Sequence, residues 1–367
     1  MTSRRLSRRA ALRASALAAA GLTIAQRALA DGEIDFIQPR PADFELWARI
    51  TWAGYPVREE MGLNKPVTRW LHENEILPIL EMIHYDGQNP NLHNDLWYRV
   101  SDGFLYTSGV QQMRPYRTPR LLTEIPHVIE DEPGFWAELI VPYAGPRREV
   151  GGAYAYDEFF GETVQVAHYY GSVHRVVGIH EDTDGNLWYE LYDDKPKRPT
   201  VFLPGRYLRY IPPEEFEPIH PEAKNKELHV SLTDQRIDCY EDGQLVYSTL
   251  TSSGSALPTP KGDKAVVYKQ PSRHMYTDPE DPVSGGPSDQ DFFDLPGVPF
   301  NTFFTTLGHA IHGTWWHGDY GRPRSHDCLN VTPDVARWIY RWVEPAMSYE
   351  EAVGGSASDP GTPITVV

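Results

Sequence analysis

The chain has 367 residues and a formal net charge of −17, with ordinary hydrophobic content, 32 prolines and abundant Tyr and Trp. This length accommodates two or three domains, and the composition favours a mainly β, loop-rich architecture over a helical bundle. The acidic balance argues against a nucleic-acid partner, because phosphate binding needs the opposite charge, so we expect a solvated acidic surface instead.

Residues 1–30 have the features of an export signal. They hold six arginines and no acidic residue, with the pair Arg8-Arg9, an alanine-rich apolar run and the small-residue site Ala28-Leu29-Ala30. The remaining chain has 28 basic and 51 acidic residues, a net charge of −23. We predict a twin-arginine signal peptide and therefore an extracytoplasmic protein that meets the membrane only for export. A retained N-terminal anchor is the alternative.

Residues 46–115 and 136–213 are predicted to be two similar β modules. Both contain short aromatic and β-branched runs broken by glycine turns, and Trp97 and Trp188 lie about ninety residues apart, which indicates an internal repeat. The Trp-Tyr strand at Trp97-Tyr98 and its glycine turn resemble bacterial SH3-like modules. That resemblance implies small barrels that contact cell-wall peptides, although packing against a catalytic domain is an equally open role.

The charged, proline-bearing residues 214–226 are predicted to be a linker, followed by a β-rich domain at 227–367. Its predicted strands have alternating or β-branched sequences: 228–232, 237–240, 245–251, 265–268, 300–311 and 361–366. Residues 277–299 carry six carboxylates and are predicted to form a flexible surface loop near the active site. A calcium loop is disfavoured because the spacing of Asp289, Asp291 and Asp294 lacks the glycine and terminal Glu.

The stretch from His309 to Asn330 concentrates reactive side chains, with four of the 14 histidines and one of the two cysteines. A helix is predicted directly after it, with Thr332 as N-cap and Pro333 at the first position. We expect the nearby helix N-terminus and an imidazole to lower the pKa of the Cys328 thiol, as a nucleophile requires. His312, at the end of the predicted strand 300–311, is the expected base.

Ser325-His326-Asp327-Cys328-Leu329-Asn330, with His312-Gly313 sixteen residues before the cysteine, resembles the signature of L,D-transpeptidase (YkuD-type) catalytic domains. The resemblance extends from about residue 228 to the C-terminus. It implies acyl transfer on peptidoglycan stem peptides, in the cell wall or envelope, through a Cys328 thioester. The products would be cross-links or, with water as acceptor, those of L,D-carboxypeptidase activity, and no cofactor is expected. Asp327 stands where the family pattern has glycine. A carboxylate beside a developing oxyanion is unfavourable unless it points away, since only the backbone N–H is needed there.

The resemblance also implies supporting roles around Cys328 and His312. His326 would orient the thiol, or act as the base instead; the Gly313 carbonyl would hold the second nitrogen of His312. The backbone N–H groups near Asp327 would bind the oxyanion. From the residues themselves, we expect Ser325 to position the turn or to hydrogen-bond substrate, and Asn330 to brace the loop through its side-chain amide. Arg322 and Arg324 would bind a peptide carboxylate or simply be solvated.

Three alternatives stay open at this point. The histidines with Cys328 could form a zinc hydrolase site, but no His-Glu-x-x-His motif is present and we expect no metal. Cys239 could form a disulfide with Cys328, although its place in a strand favours a buried core thiol. Asp327 could have disabled the site, leaving a cell-wall-binding protein that uses its SH3-like modules.

Overall fold

The computed structural model describes residues 45–85, 93–159, 162–196, 200–255, 257–277 and 293–367. The predicted signal peptide and most of the predicted acidic loop lie outside these ranges. The chain is mainly β and divides into two compact units. The first extends to Arg117 and includes Trp316–Asp319, and the second contains the rest. Within the described ranges, no helix has the length and apolar character needed to cross a membrane.

The first unit is built from two antiparallel sheets around an apolar core that includes Ile50, Val57 and Leu105. The strand orders are β4-β1-β8 and β3-β2-β7-β6-β5. Its strands are β1 (Trp47–Ile50), β2 (Tyr55–Arg58), β3 (Val67–Leu71), β4 (Ile76–Pro78), β5 (Glu81–His84), β6 (Leu96–Val100), β7 (Gly103–Tyr106) and β8 (Val110–Met113).

The second unit begins with another antiparallel sheet, ordered β17-β16-β15-β10-β18, with β9 paired to β10. Its strands and the two short pairs beside it are β9 (His127–Ile129), β10 (Glu132–Leu139), β11 (Tyr143–Ala144), β12 (Tyr156–Phe159), β13 (Glu162–Gln165), β14 (His168–Tyr169), β15 (Val173–Glu181), β16 (Leu187–Tyr192), β17 (Val201–Pro204) and β18 (Leu208–Tyr210).

Both modules share one arrangement. A 3-10 turn, Thr107–Gly109 in the first and Gly205–Tyr207 in the second, leads into the last strand of its module. That strand pairs with the first long strand of the module, β8 with β1 and β18 with β10. The internal repeat and the SH3-like assignment stay predictions.

The remainder of the second unit contains two further sheets and one helix. The sheets are ordered β21-β20-β19-β27-β22 and β23-β24-β25-β26, with β19/β27 and β25/β26 parallel. The elements are β19 (Lys226–Ser231), β20 (Arg236–Glu241), β21 (Gln244–Leu250), β22 (Gly262–Ala265), β23 (Tyr268–Tyr276), β24 (Asp294–Phe303), β25 (Ala310–Gly313), β26 (Leu329–Val331), α1 (Pro333–Trp342) and β27 (Pro363–Val366).

The predicted helix and terminal strand are confirmed. Thr332 caps α1, because its hydroxyl accepts a 3.3 Å hydrogen bond from the backbone N–H of Val335. The predicted single strand 300–311 is wrong: β24 ends at Phe303, the chain turns, and β25 begins at Ala310. The predicted loop 277–299 also ends too late, because β24 already begins at Asp294.

The predicted linker 214–226 packs into a core that the second module shares with the C-terminal domain. The ring of Phe216 is buried against Trp136 from β10, Phe300 from β24 and Tyr349. The Tyr349 hydroxyl donates to the carbonyl of Ile211 and accepts from the N–H of Trp136. These contacts join the second module and the C-terminal domain into one structural unit.

A partly buried ion-pair network reinforces this junction. The carboxylate of Glu138, on β10, contacts Arg209 at 2.5 Å and Arg337 of α1 at 2.9 Å, and Glu215 contacts both arginines. The two cations lower the pKa of Glu138 despite its burial, so the carboxylate is held in its charged form.

Candidate active site

Two neighbouring parallel strands bring His312 and Cys328 to one face of the sheet. His312 of β25 lies opposite Asn330 of β26, and Cys328 immediately precedes β26. Because alternate residues of a strand share a face, Cys328 and Asn330 project to the side occupied by Ala310 and His312. Cys328 packs with Ala310, so the thiol and the imidazole are diagonal neighbours on that face.

The His312 ring is buried, and both of its nitrogens have polar neighbours. Its Nδ1 lies 3.1 Å from the carbonyl oxygen of Gly313, the contact predicted from the sequence. A carbonyl only accepts hydrogen bonds, so Nδ1 carries the proton in the neutral ring and Nε2 presents a lone pair. The Nδ2 of Asn330 lies 3.1 Å from that Nε2. Asn330 thus contacts the imidazole and orients it, a role beyond the predicted bracing of the loop.

Gly313 can take this place only because it has no side chain. A Cβ there would come within 2.7 Å of Pro299 Cγ and 2.8 Å of Pro333 Cα. The strand carrying His312 therefore packs closely between β24 and the start of α1.

The thiol of Cys328 lies in a different electrostatic setting from the one predicted. Its Sγ is 3.3 Å from Oδ1 of Asp327 and 3.7 Å from the carbonyl of Gly308, an acceptor in each case. Burial first, and then the negative charge of Asp327, raise the pKa of this thiol well above its ordinary range, although the N–H of Ala310 opposes this effect. The expectation of a lowered pKa is wrong, because β26 separates Cys328 from α1 and a carboxylate, not a cation, contacts the sulfur.

Asp327 directs its carboxylate at the sulfur instead of away from the site. Its Oδ2 lies 3.6 Å from Nε2 of His309 and 3.8 Å from Nδ1 of His326. His326, predicted to orient the thiol, thus contacts the neighbouring carboxylate, and its ring lies 5.8 Å from that of Phe293. His309, for which sequence analysis found no role, belongs to this cluster.

The remaining predicted site residues, Ser325, Arg322 and Arg324, lie in the loop that precedes Cys328 in the chain. Ser325 forms a β-bridge with Gly254, and its N–H donates to the carbonyl of Ser253, as does the N–H of Arg324. The side chain of Arg324 is exposed and that of Arg322 is half-buried. His317 belongs to the first unit, where its Nδ1 accepts from the N–H of Asp319 at 3.2 Å.

Two residues with no predicted role, Thr259 and Gly254, hold the backbone of the loop that carries Asp327 and Cys328. The Thr259 hydroxyl donates to the carbonyl of Asp327 at 2.8 Å and accepts from the N–H of Gly254 at 2.9 Å. A Cβ on Gly254 would come within 2.0 Å of the Leu257 carbonyl and 2.9 Å of Asp327 Cα. The sequence does contain a signal for these residues. Ser-Ser-Gly at 252–254 is followed by Pro-Thr-Pro-Lys-Gly at 258–262, a pattern typical of turns, just before β22.

Both cysteines are free thiols, and Cys239 is a fully buried core residue, as predicted. Among the residues that the structure describes, no group of three or more His, Cys, Asp or Glu side chains is arranged to hold a metal ion.

The segment that contains this site is similar to a known protein family. Residues 225–366 match the family model of the L,D-transpeptidase catalytic domain, YkuD. No curated protein sequence matches the chain.

Solved structures of L,D-transpeptidases are similar to parts of the chain. One from Mycobacterium smegmatis has 18% identity and a TM-score of 0.32, covering 49% of this chain and 90% of its own. The catalytic domain from E. faecium has 23% identity and a TM-score of 0.29, covering 39% and 97%. L,D-transpeptidase 3 from Mycobacterium tuberculosis, with a faropenem-derived adduct, has 16% identity and a TM-score of 0.31, covering 52% and 92%. The match to the L,D-transpeptidase catalytic-domain family, YkuD, thus covers residues 225–366, the segment that contains His312 and Cys328.

Proposed function

We propose that this protein is an exported cysteine-dependent L,D-transpeptidase that acts on peptidoglycan stem peptides through a thioester on Cys328. The acyl group would pass to an amine of a second stem peptide, forming a cross-link, or to water, giving L,D-carboxypeptidase activity. The observation that carries the proposal is the shared sheet face of His312 and Cys328, within the segment that matches the catalytic-domain family.

The orientation of His312 supports its role as the base. Because Nδ1 donates to the Gly313 carbonyl, Nε2 carries the lone pair that would receive the thiol proton. The Asn330 amide donates to this lone pair in the resting site, so that hydrogen bond would have to break before the proton transfer. The Cys328 thiolate would attack the carbonyl of the L-centre of a diamino acid at stem position three. The imidazolium would then protonate the departing D-amino acid, and backbone N–H groups near Asp327 and Cys328 would hold the oxyanion.

The surrounding residues are proposed to support this reaction. Asn330 holds the His312 ring through its contact with Nε2, and Ser325 fixes the loop through its bridge to Gly254. Arg322 and Arg324 are candidates for binding a peptide carboxylate, since they lie in the same loop as Cys328. The two β modules are proposed to contact the cell wall.

Intact-mass measurement after exposure to a carbapenem tests the nucleophile. We expect one acyl adduct on the wild type and on Cys239→Ser, and none on Cys328→Ala. Incubation with a stem tetrapeptide ending in D-alanine should release D-alanine and form peptide dimers. A chain that is acylated at another residue, or not at all, would exclude Cys328 as the nucleophile.

One observation favours a second candidate, a cell-wall-binding protein with an impaired site. Burial, and then the charge of Asp327 at the sulfur, raise the pKa of the thiol, which lowers the thiolate fraction at neutral pH. If this candidate is correct, the wild type binds peptidoglycan sacculi but neither forms the adduct nor releases D-alanine. Restoring the family glycine with Asp327→Gly would then produce acylation.

A further inference from the structure

The carboxylate of Asp327 occupies a position at the sulfur that the family pattern, with glycine, leaves empty. In the resting site the Cys328 thiol donates its hydrogen to Oδ1 of Asp327 across 3.3 Å. The side chain of Asp327 is 27% exposed, so a molecule from solvent can reach it. The nucleophile and an accessible anion are thus in direct contact.

The other oxygen of this carboxylate faces the imidazole rings of His309 and His326 at 3.6 and 3.8 Å. The Thr305 hydroxyl oxygen accepts from the N–H groups of Leu307 and His309 and lies 2.7 Å from His309 Nδ1. With both acceptor positions used, the hydroxyl proton is donated to Nδ1. The Nε2 of the neutral ring therefore carries its hydrogen and faces Oδ2 of Asp327 at 3.6 Å. Thr305 and His309 position the carboxylate from the side opposite the sulfur.

Acylation changes the hydrogen bonding of Oδ1. A thioester sulfur has no hydrogen, so Oδ1 loses the donor that it has in the resting site. A partly buried carboxylate oxygen is then left beside the acyl group, and a cationic donor satisfies it better than water does, because charge-assisted hydrogen bonds are the stronger ones.

We propose that Asp327 is a further catalytic residue, which binds the ammonium group of the acceptor at the thioester and so favours transfer to an amine over hydrolysis. This inference rests on the proposed function. Asp327 would take one proton from the ammonium, which frees the nitrogen lone pair. The nitrogen bonds to the acyl carbon and the C–S bond breaks. The thiolate regains a proton from the attacking nitrogen through His312, and the proton on Asp327 passes to solvent.

The partition of the acyl-enzyme between amine and water tests this role. The wild type, Asp327→Asn and Asp327→Gly are incubated with a stem tetrapeptide ending in D-alanine and one of two acceptors. Nα-acetyl-lysine carries an ammonium group at neutral pH, whereas methoxyamine is neutral. Mass spectrometry gives the ratio of aminolysis to hydrolysis product, which does not depend on the rate of acylation. Glu227→Gln, which removes an exposed carboxylate on β19, is the matched control.

We expect the ratio with Nα-acetyl-lysine to fall roughly tenfold in both Asp327 variants, the loss of about one charge-assisted hydrogen bond. The ratio with methoxyamine and all ratios of Glu227→Gln should stay unchanged. An unchanged Nα-acetyl-lysine ratio, or an equal fall with both acceptors, overturns this inference alone. Failure of the wild type to form an acyl-enzyme overturns the proposed function and this inference with it. If Asp327→Asn does not fold, Asp327→Gly gives the same comparison.

Discussion

Removing the charge of Asp327 should make the Cys328 thiol more reactive. The carboxylate lies 3.3 Å from the sulfur, and two unit charges at that distance repel by about 5 kcal/mol at an effective dielectric constant of about 20. Solvent screening reduces this value, because the Asp327 side chain is 27% exposed. If about 1.4 kcal/mol of the repulsion remains after screening, its removal in Asp327→Asn makes the thiolate fraction about tenfold larger at any pH below the thiol pKa.

The increase in the thiolate fraction follows from the two causes that raise the pKa of Cys328. Burial and the Asp327 charge both disfavour the thiolate, and Asp327→Asn removes only the second cause. The reactive form should therefore appear at lower pH in the variant. Burial remains, so the thiol of the variant should still titrate above an exposed cysteine.

The assay is the rate of alkylation of Cys328 by iodoacetamide across the pH range, followed by peptide mass spectrometry. We expect Asp327→Asn to react about tenfold faster at pH 7 and to converge with the wild type at high pH. Cys239 serves as an internal reference for alkylation, because it is fully buried, its pKa is also raised by burial, and its rate should be the same in both proteins. Equal or slower alkylation of the variant at pH 7 would refute the electrostatic argument.

Four further predictions concern the support of the site and of the fold. Thr259→Ala should lower the acylation rate about tenfold by releasing the Asp327 carbonyl, whereas Thr259→Ser retains the hydroxyl and the rate. Gly254→Ala should abolish acylation, because the added Cβ would lie 2.0 Å from a backbone oxygen, while circular dichroism should show that the variant still folds. Acylation of this variant at the wild-type rate would contradict the prediction. Phe216→Ala should lower the free energy of unfolding by about 3–5 kcal/mol in chemical denaturation, and the second module and catalytic domain should unfold together. Burial lowers the pKa of Lys269 to about 7, so between pH 7 and about 10.5 the folded state binds fewer protons than the unfolded state. Over that range the free energy of unfolding of the wild type should rise with pH relative to that of Lys269→Met.

The sequence was most informative where local patterns determine the structure. The cap of α1 depends on Thr332 and Pro333, the hairpin strands β19 to β21 alternate in polarity, and the backbone partner of His312 is the next residue. Each of these features involves residues close together in the chain. They were therefore predicted without knowledge of the tertiary fold.

The electrostatics of Cys328 could not be predicted in the same way. Helix N-termini lower thiol pKa values, but this effect falls off within the first turn, and three residues of β26 separate the thiol from α1. The direction of the Asp327 side chain depends on His309 and on residues 305–308, which connect β24 to β25. The pairing of these two strands brings His309 to within 3.6 Å of the Asp327 carboxylate. Similarly, Thr259 reaches Asp327 across 68 positions in the chain.

The shared core explains why the second module is not a separable attachment. Phe216 lies in a segment whose composition is typical of a linker, but its ring completes an aromatic cluster drawn from β10, β24, α1 and Tyr349. Glu138 adds a charged contact from β10 to Arg337 of α1, the helix that packs on β24 and β25. The helix that supports the strand of His312 is thus fixed partly by the second module. A truncation that begins at residue 225 would expose this aromatic surface and remove the partner of Arg337, so loss of acylation in that fragment would reflect lost support for β25 rather than lost cell-wall binding.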